Sequence, residues 1–118
     1  MSMTISIVTA CFNCASTLQT ALASVAAQKG VSIDYIVVDG ASTDGTVEML
    51  KAFQENLAAS SRDDLSFRFI SERDEGMYDA INKGIGMARG EFVGILNADD
   101  YLDGDDVIAR VASYLRNQ

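Results

Sequence analysis

The sequence predicts an α/β fold with three α/β/α layers, a Rossmann-like architecture built on a mostly parallel sheet. Four short runs of β-branched and apolar residues are nearly continuous, as expected of strands that are buried on both faces. Segments with helical spacing of apolar residues separate these runs, so the order is β-α-β-α-β-α-β-α. The length of 118 residues corresponds to one domain.

The first half of the chain contains two strand–helix units. Strands are predicted over 3–10 and 33–39, and a helix over 16–28 with Ser16 as its N-cap. A second helix follows the loop 40–46, with Asp44 or Thr43 as its cap. The side chains expected to point inward are Leu18, Ala21, Leu22, Val25, Ala26, Val47, Leu50 and Phe53.

The second half repeats this pattern with shorter elements. Strands are predicted over 67–71 and 91–97, whereas 55–66 is polar and indicates a helix end or a loop. Helices are predicted over 77–88 and from near Asp105 onward. The inward-facing residues of these helices are expected to be Met77, Ile81, Gly84, Ile85, Ala88, Val107, Ile108, Val111, Ala112 and Leu115.

The composition excludes several classes of function. A formal net charge of −8 argues against a general nucleic-acid-binding protein, which needs a basic surface. The absence of histidine excludes Ser-His-Asp, Cys-His and histidine–zinc sites within these residues. There is no apolar run near 18 residues and no export signal, so we expect no transmembrane segment and a cytoplasmic location.

Carboxylates are concentrated after the last predicted strand. Mg²⁺ and Mn²⁺ bind such oxygens and keep other positions open for the phosphates of a substrate. We therefore interpret Asp99 as a ligand of a divalent metal ion. The alternative, an acidic loop that favours the positive end of the final helix, is our interpretation of Asp103, Asp105 and Asp106.

Polar side chains also follow the other strands, and in parallel sheets ligands bind beyond these carboxyl ends. Asp39 could accept hydrogen bonds from a base or a ribose hydroxyl, or the loop after it could simply be well formed without a ligand. Thr9 and the adjacent backbone could donate to a nucleobase, and Phe12 could pack against the base or belong to the core. Arg73 could meet a base or phosphate, and Lys83 either a diphosphate or only solvent.

The spacing of Cys11 and Cys14 is that of a thiol–disulfide redox site. The thioredoxin fold places a cis-proline opposite its cysteines, and this chain has no proline. A zinc ribbon would need two further ligands. A thiol oxidoreductase therefore remains a minor alternative.

Four stretches in order, "SIVTACFNCASTLQTALASV", "DYIVVDGASTDGT", "SERDEGMYDAINKGI" and "ARGEFVGILNADDYL", resemble family 2 glycosyltransferases of the GT-A fold, in particular bacterial enzymes of polysaccharide biosynthesis. The resemblance covers nearly the whole chain. It implies an inverting transfer from a nucleotide-diphospho-sugar, usually a UDP-sugar, to a saccharide or lipid-linked acceptor. It also implies that the parent enzyme is cytoplasmic or peripheral at the inner membrane face.

The resemblance further implies the residues of the donor site. Asp39 would contact the uracil or ribose, and Asp99 would hold Mn²⁺ or Mg²⁺ against the diphosphate. The first acid of the family's D-x-D signature is replaced by Asn97, which adds no charge to the metal site. The full set expected to bind the nucleotide-sugar is Thr9, Ala10, Phe12, Asn13, Asp39, Ser42, Arg73, Lys83, Asn97, Ala98 and Asp99.

Family members continue into a second half that binds the acceptor and carries the general base. We therefore expect 1–118 to be the donor half, with the general base beyond Gln118 and no catalytic residue of its own. Little transferase activity is expected of this half in isolation. We also expect apolar surface beyond the last strand, through which the chain self-associates. A non-catalytic nucleotide-binding or assembly module is the main alternative.

Overall fold

The computed structural model describes residues 3–117 and contains the eight predicted elements in the predicted order. The strands are β1 (Thr4–Cys11), β2 (Ser32–Asp39), β3 (Leu65–Ser71) and β4 (Phe92–Ile95). The helices are α1 (Ala15–Ala26), α2 (Thr46–Ala59), α3 (Met77–Met87) and α4 (Val107–Arg116). None of the helices in this described range is long and apolar enough to cross a bilayer.

One expectation concerns a position that the structure does not describe. Gln118, beyond which we expect the general base, lies outside the described residues. The structure therefore neither supports nor contradicts that expectation, and the location of the base stays a prediction.

All four strands are parallel and lie in the order β3-β2-β1-β4. The last residues of three strands are in register, because Cys11 pairs with Asp39 and Asp39 pairs with Ser71. The order of strands reverses between β1 and β4, which is where open α/β sheets bind ligands. The sheet thus brings the predicted strand-end loops to one edge of the molecule.

Helices cover both faces of the sheet, which confirms the three-layer prediction. One face carries α1, α2 and α4 over a core that includes Leu18, Leu50, Phe67 and Ile108. The other face is covered by α3, where Ala80 packs against buried valines and an isoleucine of the central strands. The continuous apolar strands are explained by this double coverage.

Helix α1 buries Leu18, Ala21, Leu22 and Val25 as predicted, but its first turn differs from the prediction. The helix begins at Ala15, so the predicted N-cap Ser16 lies inside it. The Ala15 N–H instead donates to Asp44 Oδ2 at 3.0 Å. A side chain from another loop therefore satisfies this helix end.

The predicted inward face of α3 is partly wrong. The buried residues of this helix are Ala80 and Gly84, whereas Met77 is 61% exposed and Ile85 is 45% exposed. A Cβ added at Gly84 would overlap the side chain of Val8 in β1. The helix and strand approach so closely that only small residues fit between them. The predicted burial of Gly84 is therefore confirmed, whereas that of Met77 and Ile85 is wrong.

The end of the chain differs from the prediction in two respects. Strand β4 has four residues rather than seven, and its side chains Phe92, Val93 and Ile95 are all exposed by 40% or more. Helix α4 begins at Val107, and Val111 is 44% exposed rather than buried. The expected apolar surface at this edge of the sheet is therefore present.

A buried polar network beneath the end of α3 ties the sheet to this helix. The Asp34 carboxylate accepts hydrogen bonds from Ser6 and Ser66, and from the Arg68 guanidinium at 2.8 Å. The backbone N–H of Arg89 donates to the same carboxylate at 2.9 Å. Burial alone would raise the pKa of Asp34, but these hydrogen bonds and the charge of Arg68 hold it below its ordinary value.

We expect Gly84→Ala to destabilise the fold and Gly86→Ala, in the same helix, to stabilise it. Alanine is favoured over glycine by about 1 kcal/mol at both helical positions. At Gly84 an added methyl meets Val8, and such overpacking costs about 1–3 kcal/mol. At Gly86 nothing lies within 4 Å of the added Cβ. Urea denaturation of both variants measures the difference, and equal stability would contradict the close packing of α3.

Candidate functional site

A cleft of about 570 Å³ opens at the carboxyl edge of the sheet, beside the point where the strand order reverses. This volume is typical of small-molecule sites, which occupy roughly 300–1,000 Å³. Three loops meet in it: the β1–α1 loop, the β3–α3 loop with the start of α3, and the turn after β4. The lining residues are Ala10, Cys11, Phe12, Cys14, Asp74, Gly76, Met77, Ala80, Asn97, Ala98 and Asp99.

Five of the predicted donor-binding residues line this cleft. They are Ala10, Phe12, Asn97, Ala98 and Asp99. Phe12 is 61% exposed, which excludes the interpretation that its ring belongs to the core. Asn97 and Asp99 are exposed on either side of the buried Ala98, in a turn closed by the Asp100 N–H donating to the Asn97 carbonyl. The predicted signature therefore faces open space.

Asp39 does not line the cleft. It is fully buried, and its Oδ1 accepts hydrogen bonds from the Ser42 hydroxyl and from the Cys11 thiol. Its Oδ2 accepts from the Ser42 N–H at 2.9 Å and from the Ser71 hydroxyl at 2.7 Å. In this structure the Asp39 carboxylate accepts hydrogen bonds from the protein's own donors, two of them from Ser42, and the expected contact of Asp39 with a base or ribose stays a prediction.

Asn13 connects two strand-end loops and is also absent from the lining of the cleft. Its N–H donates to Ser42 Oγ at 2.8 Å, and its side-chain carbonyl accepts from the Thr43 N–H at 2.9 Å. Asp44 completes the bridge by accepting hydrogen bonds from Ala15 and Thr46. In this structure Asn13 therefore braces the two loops, and its expected contact with the nucleotide-sugar stays a prediction.

Thr9 is fully buried, and its hydroxyl shares a hydrogen bond of 2.9 Å with the Tyr35 hydroxyl. Desolvation raises the pKa of Tyr35 to about 12, so the phenol stays protonated and its hydrogen bond with Thr9 persists. Thr9 does not line the cleft, and the expectation that it donates to a nucleobase stays a prediction.

The two predicted cationic contacts are directed elsewhere. Lys83 Nζ pairs with Glu72 at 3.3 Å and with Asp79 at 3.6 Å, and it also donates to the Arg73 carbonyl. Although desolvation lowers it, the hydrogen bonds and charges of Glu72 and Asp79 raise the pKa of Lys83 above its ordinary value. Neither Lys83 nor the exposed Arg73 lines the cleft. The expected contacts of Arg73 and Lys83 with the nucleotide-sugar stay predictions.

The cleft is acidic. Its lining contains two carboxylates, those of Asp74 and Asp99, and no lysine or arginine. Within residues 3–117, no group of three or more acidic or thiol side chains lies close enough to hold a metal ion alone. The cleft therefore offers a metal ion only a few hard oxygen ligands. This suits a divalent ion whose remaining ligands come from phosphate or water.

The environment of the Cys11 thiol is the opposite of that of a reactive cysteine. Cys11 is 5% exposed and donates its hydrogen to Asp39 Oδ1 at 3.3 Å. Burial raises the pKa of the Cys11 thiol far above its ordinary value, and the charge of Asp39 raises it further. A redox-active cysteine needs a lowered pKa. The thiol oxidoreductase alternative therefore has no support in this structure.

The prediction placed Arg73 of the β3–α3 loop in the site but missed Asp74, Gly76 and Met77, which line the cleft. Arg73 was selected there because its charge suits phosphate, but the acidic neighbour is the one that faces inward. The available signal was the Asp-x-Gly spacing. Asp74 Oδ1 accepts from the Gly76 N–H at 3.0 Å, and Gly76 has a φ of +114° that favours glycine.

Comparison with protein families gives one match over most of the chain. Residues 6–118 fit the model described as "Glycosyl transferase family 2". A curated relative from Mycobacterium tuberculosis, "PGL/p-HBAD biosynthesis glycosyltransferase", is 37% identical over 112 residues. The match covers 93% of this chain and 41% of the relative, so the chain spans about two-fifths of that protein's length.

Solved structures of two other proteins share the architecture. The mannosyltransferase PcManGT from Pyrobaculum calidifontis, in complex with GDP-Man and Mn²⁺, has a TM-score of 0.82 and 25% identity, over 98% of this chain and 33% of that one. S. aureus TarS 1–349 in complex with UDP-GlcNAc has a TM-score of 0.79 and 22% identity, over 98% and 32% of the two chains. The α/β fold described above matches these GT-A structures.

Proposed function

Because this chain belongs to glycosyl transferase family 2, we propose that residues 1–118 form the donor half of a glycosyltransferase. The parent enzyme would transfer a sugar, with inversion, from a nucleotide-diphospho-sugar to a saccharide or lipid-linked acceptor. One observation carries the proposal: Asp99, Asn97 and the exposed ring of Phe12 face the same cleft at the carboxyl edge of the sheet. A base can stack on the ring while the diphosphate extends toward the carboxylate.

The charge of the cleft supports the metal in this proposal. A diphosphate is strongly anionic, and the cleft offers it two carboxylates without a lysine or an arginine. Binding the diphosphate without a cation would place like charges together. Asp99 would hold Mn²⁺ or Mg²⁺, with Asn97 beside it as a neutral ligand for a hydroxyl group or a metal-bound water molecule. When bound, the ion would neutralise the charge of the leaving diphosphate.

The choice of nucleotide remains a proposal as well. We propose a uridine donor. The two structural neighbours were solved with UDP-GlcNAc and with GDP-Man, so both bases occur among proteins of this fold. Titration with UDP and GDP in parallel separates the two.

We expect Asp99→Asn to weaken UDP binding in the presence of Mn²⁺ by at least about tenfold, because the ion loses its charged protein ligand. The matched control is Asp103→Asn, which removes a carboxylate from the same acidic segment but outside the cleft. The control should bind as the unmodified chain does. Isothermal titration calorimetry with and without EDTA measures both variants. UDP binding that is unchanged by EDTA and by Asp99→Asn would contradict the metal site, and no binding of any nucleotide would favour the assembly-module alternative.

We propose that the general base lies outside these 118 residues, beyond Gln118. The match covers 41% of the mycobacterial relative, so more than half of that protein lies outside the matched region. We therefore expect the 118-residue chain to bind the donor without steady release of UDP in the presence of saccharide acceptors. A coupled assay of UDP release measures this, and multiple turnovers would contradict it.

We further propose that the isolated chain self-associates through β4. This strand is the edge of the sheet, and the exposed side chains Phe92, Val93 and Ile95 lie along it. An unpaired apolar edge strand can pair with a second copy. We expect light scattering to show a mass that rises with concentration, and Val93→Lys to suppress the rise. A monomer at all concentrations would contradict this.

A further inference from the structure

We propose that Gln28 is a positioning residue for the metal-dependent binding of the donor. Gln28 follows the end of α1 and, together with Ser24 of that helix, holds the segment 102–108, which comes shortly after the turn of residues 97–100. This inference rests on the proposed function, because that turn contains Asp99, the carboxylate assigned to the metal ion. Gln28 does not line the cleft, so it would act on the ion only through the turn.

The side-chain amide of Gln28 is buried, and its polar atoms are all used in hydrogen bonds. The residue is only 1% exposed. Its Nε2 donates to the Gly104 carbonyl at 2.7 Å and to the Ser24 carbonyl at 3.1 Å, and its Oε1 accepts from the Ile108 N–H at 3.0 Å. A primary amide has two N–H donors and one carbonyl oxygen, so each of these groups has a partner. Burial of a polar side chain is unfavourable without such partners, which constrains Gln28 to this position.

The contact with Ile108 satisfies a backbone group at the beginning of α4. The first N–H groups of a helix have no acceptor within the helix. The residue before α4, Asp106, makes no side-chain hydrogen bond that caps it. Gln28 instead supplies an acceptor to the second residue of this helix. The start of α4 is therefore fixed against the end of α1.

Two neighbouring contacts extend this attachment toward the cleft. Ser24 Oγ accepts from the Leu102 N–H at 3.0 Å. The Lys29 N–H donates to the Asp105 carbonyl at 2.7 Å. The segment 102–108 is thus hydrogen-bonded at several points to α1 and to the residues that follow it.

The turn that contains Asp99 lies between two attached residues. Before the turn, the Leu96 N–H donates to the Val8 carbonyl of β1 at 3.0 Å. After the turn, Leu102 is held by Ser24. Only residues 97–101 separate these two attachments, so the turn is a short loop with both ends fixed.

The side chains of the turn contribute little to its position. Within residues 97–100, Ala98 is buried, whereas Asn97 and Asp99 are exposed. Fixing both ends of a short loop lowers its conformational freedom, and an ion that binds an ordered turn does not have to order it. Gln28 and Ser24 therefore favour metal binding by holding the end of the turn that β1 does not hold.

The test compares Gln28→Met with a variant that is destabilised elsewhere. Methionine is close to glutamine in size but lacks the amide donors. We expect Gln28→Met to weaken UDP binding in the presence of Mn²⁺ by about tenfold, as is typical when a group that supports a metal ligand is removed. Leu57→Ala, which truncates a partly buried side chain of α2, should lower the melting temperature and leave UDP affinity unchanged. Calorimetry on the 118-residue chain measures both affinities at a temperature at which circular dichroism shows both variants folded.

A second measurement needs neither UDP nor Mn²⁺. In the ¹⁵N-labelled chain alone, we expect Gln28→Met to lower the NMR order parameters of the Ala98, Asp99 and Asp100 amides. A merely structural role would change the amides of 102–108 and leave those of the turn as they are in the unmodified chain.

Two further variants of α1 keep the inference testable if Gln28→Met does not fold. Ser24→Ala removes the acceptor of the Leu102 N–H, while the higher helix propensity of alanine offsets part of the lost stability. It should weaken UDP binding with Mn²⁺ in the same direction as Gln28→Met. The matched control is Gln19→Met, which replaces an exposed glutamine of the same helix outside the cleft. It should bind UDP as the unmodified chain does.

The results that would overturn the inference differ from those that would overturn the proposed function. Unchanged Mn²⁺-dependent UDP affinity in Gln28→Met or, if that variant does not fold, in Ser24→Ala refutes the role of Gln28 while donor binding stands. An equal loss of affinity in Leu57→Ala also refutes it, because the effect would then follow stability alone. The absence of Mn²⁺-dependent binding of any nucleotide by the unmodified chain refutes both.

Discussion

The site depends on the buried carboxylate of Asp39, which joins the ends of three adjacent strands. Its hydrogen-bond donors come from Cys11 at the end of β1, Ser42 after β2 and Ser71 at the end of β3. A buried carboxyl group is tolerated only when its oxygens take part in hydrogen bonds, so Asp39 and its donors depend on one another for their positions. Backbone hydrogen bonds continue the arrangement past the strands, from the Gly40 N–H to the Cys11 carbonyl and from the Glu72 N–H to the Asp39 carbonyl. The loops that line the cleft are thereby fixed in position relative to one another.

Two consequences follow for the chemistry of the cleft. The Asp39 carboxylate holds the strand ends together in this structure, so the loops beyond these ends supply the side chains that face the cleft. The charge balance is also incomplete, because the cleft contains Asp74 and Asp99 without a basic residue. A divalent cation would offset the negative charge of the donor and the cleft, and the phosphates of the donor would supply the ligands that the cation lacks. The two are therefore expected to bind together.

The sequence predicts the architecture well because the signals for it are local and repeated. Continuous apolar strands and amphipathic helices identified all eight elements and the three layers. The prediction failed where contacts between residues that are distant in the sequence determine the local structure. Helix α3 approaches Val8 closely, so the small residues Ala80 and Gly84 are buried while the bulky Met77 is exposed. At the start of α1, the partner of the helix end comes from Asp44, which is 29 residues away in the sequence.

The same distinction applies to the site. The position of Asn97, Ala98 and Asp99 in the cleft could be predicted, because a residue directly after a parallel strand lies at the ligand edge. The sequence could not predict whether a polar side chain such as Thr9 or Lys83 is free to bind a ligand. That depends on partners such as Tyr35 and Asp79, which lie on other elements or turns.

The most direct measurement is NMR of the ¹⁵N-labelled chain titrated with Mn²⁺, which broadens the signals of nearby nuclei, in the presence and absence of UDP. No group of acids among residues 3–117 is sufficient to hold the ion alone, so the account predicts specific broadening of the amides of Asn97, Ala98 and Asp99 only when UDP is present. It predicts no broadening around the buried network of Asp34. Broadening centred on Asp103, Asp105 and Asp106, with or without UDP, would contradict the account and show that the ion binds only the acidic segment before α4.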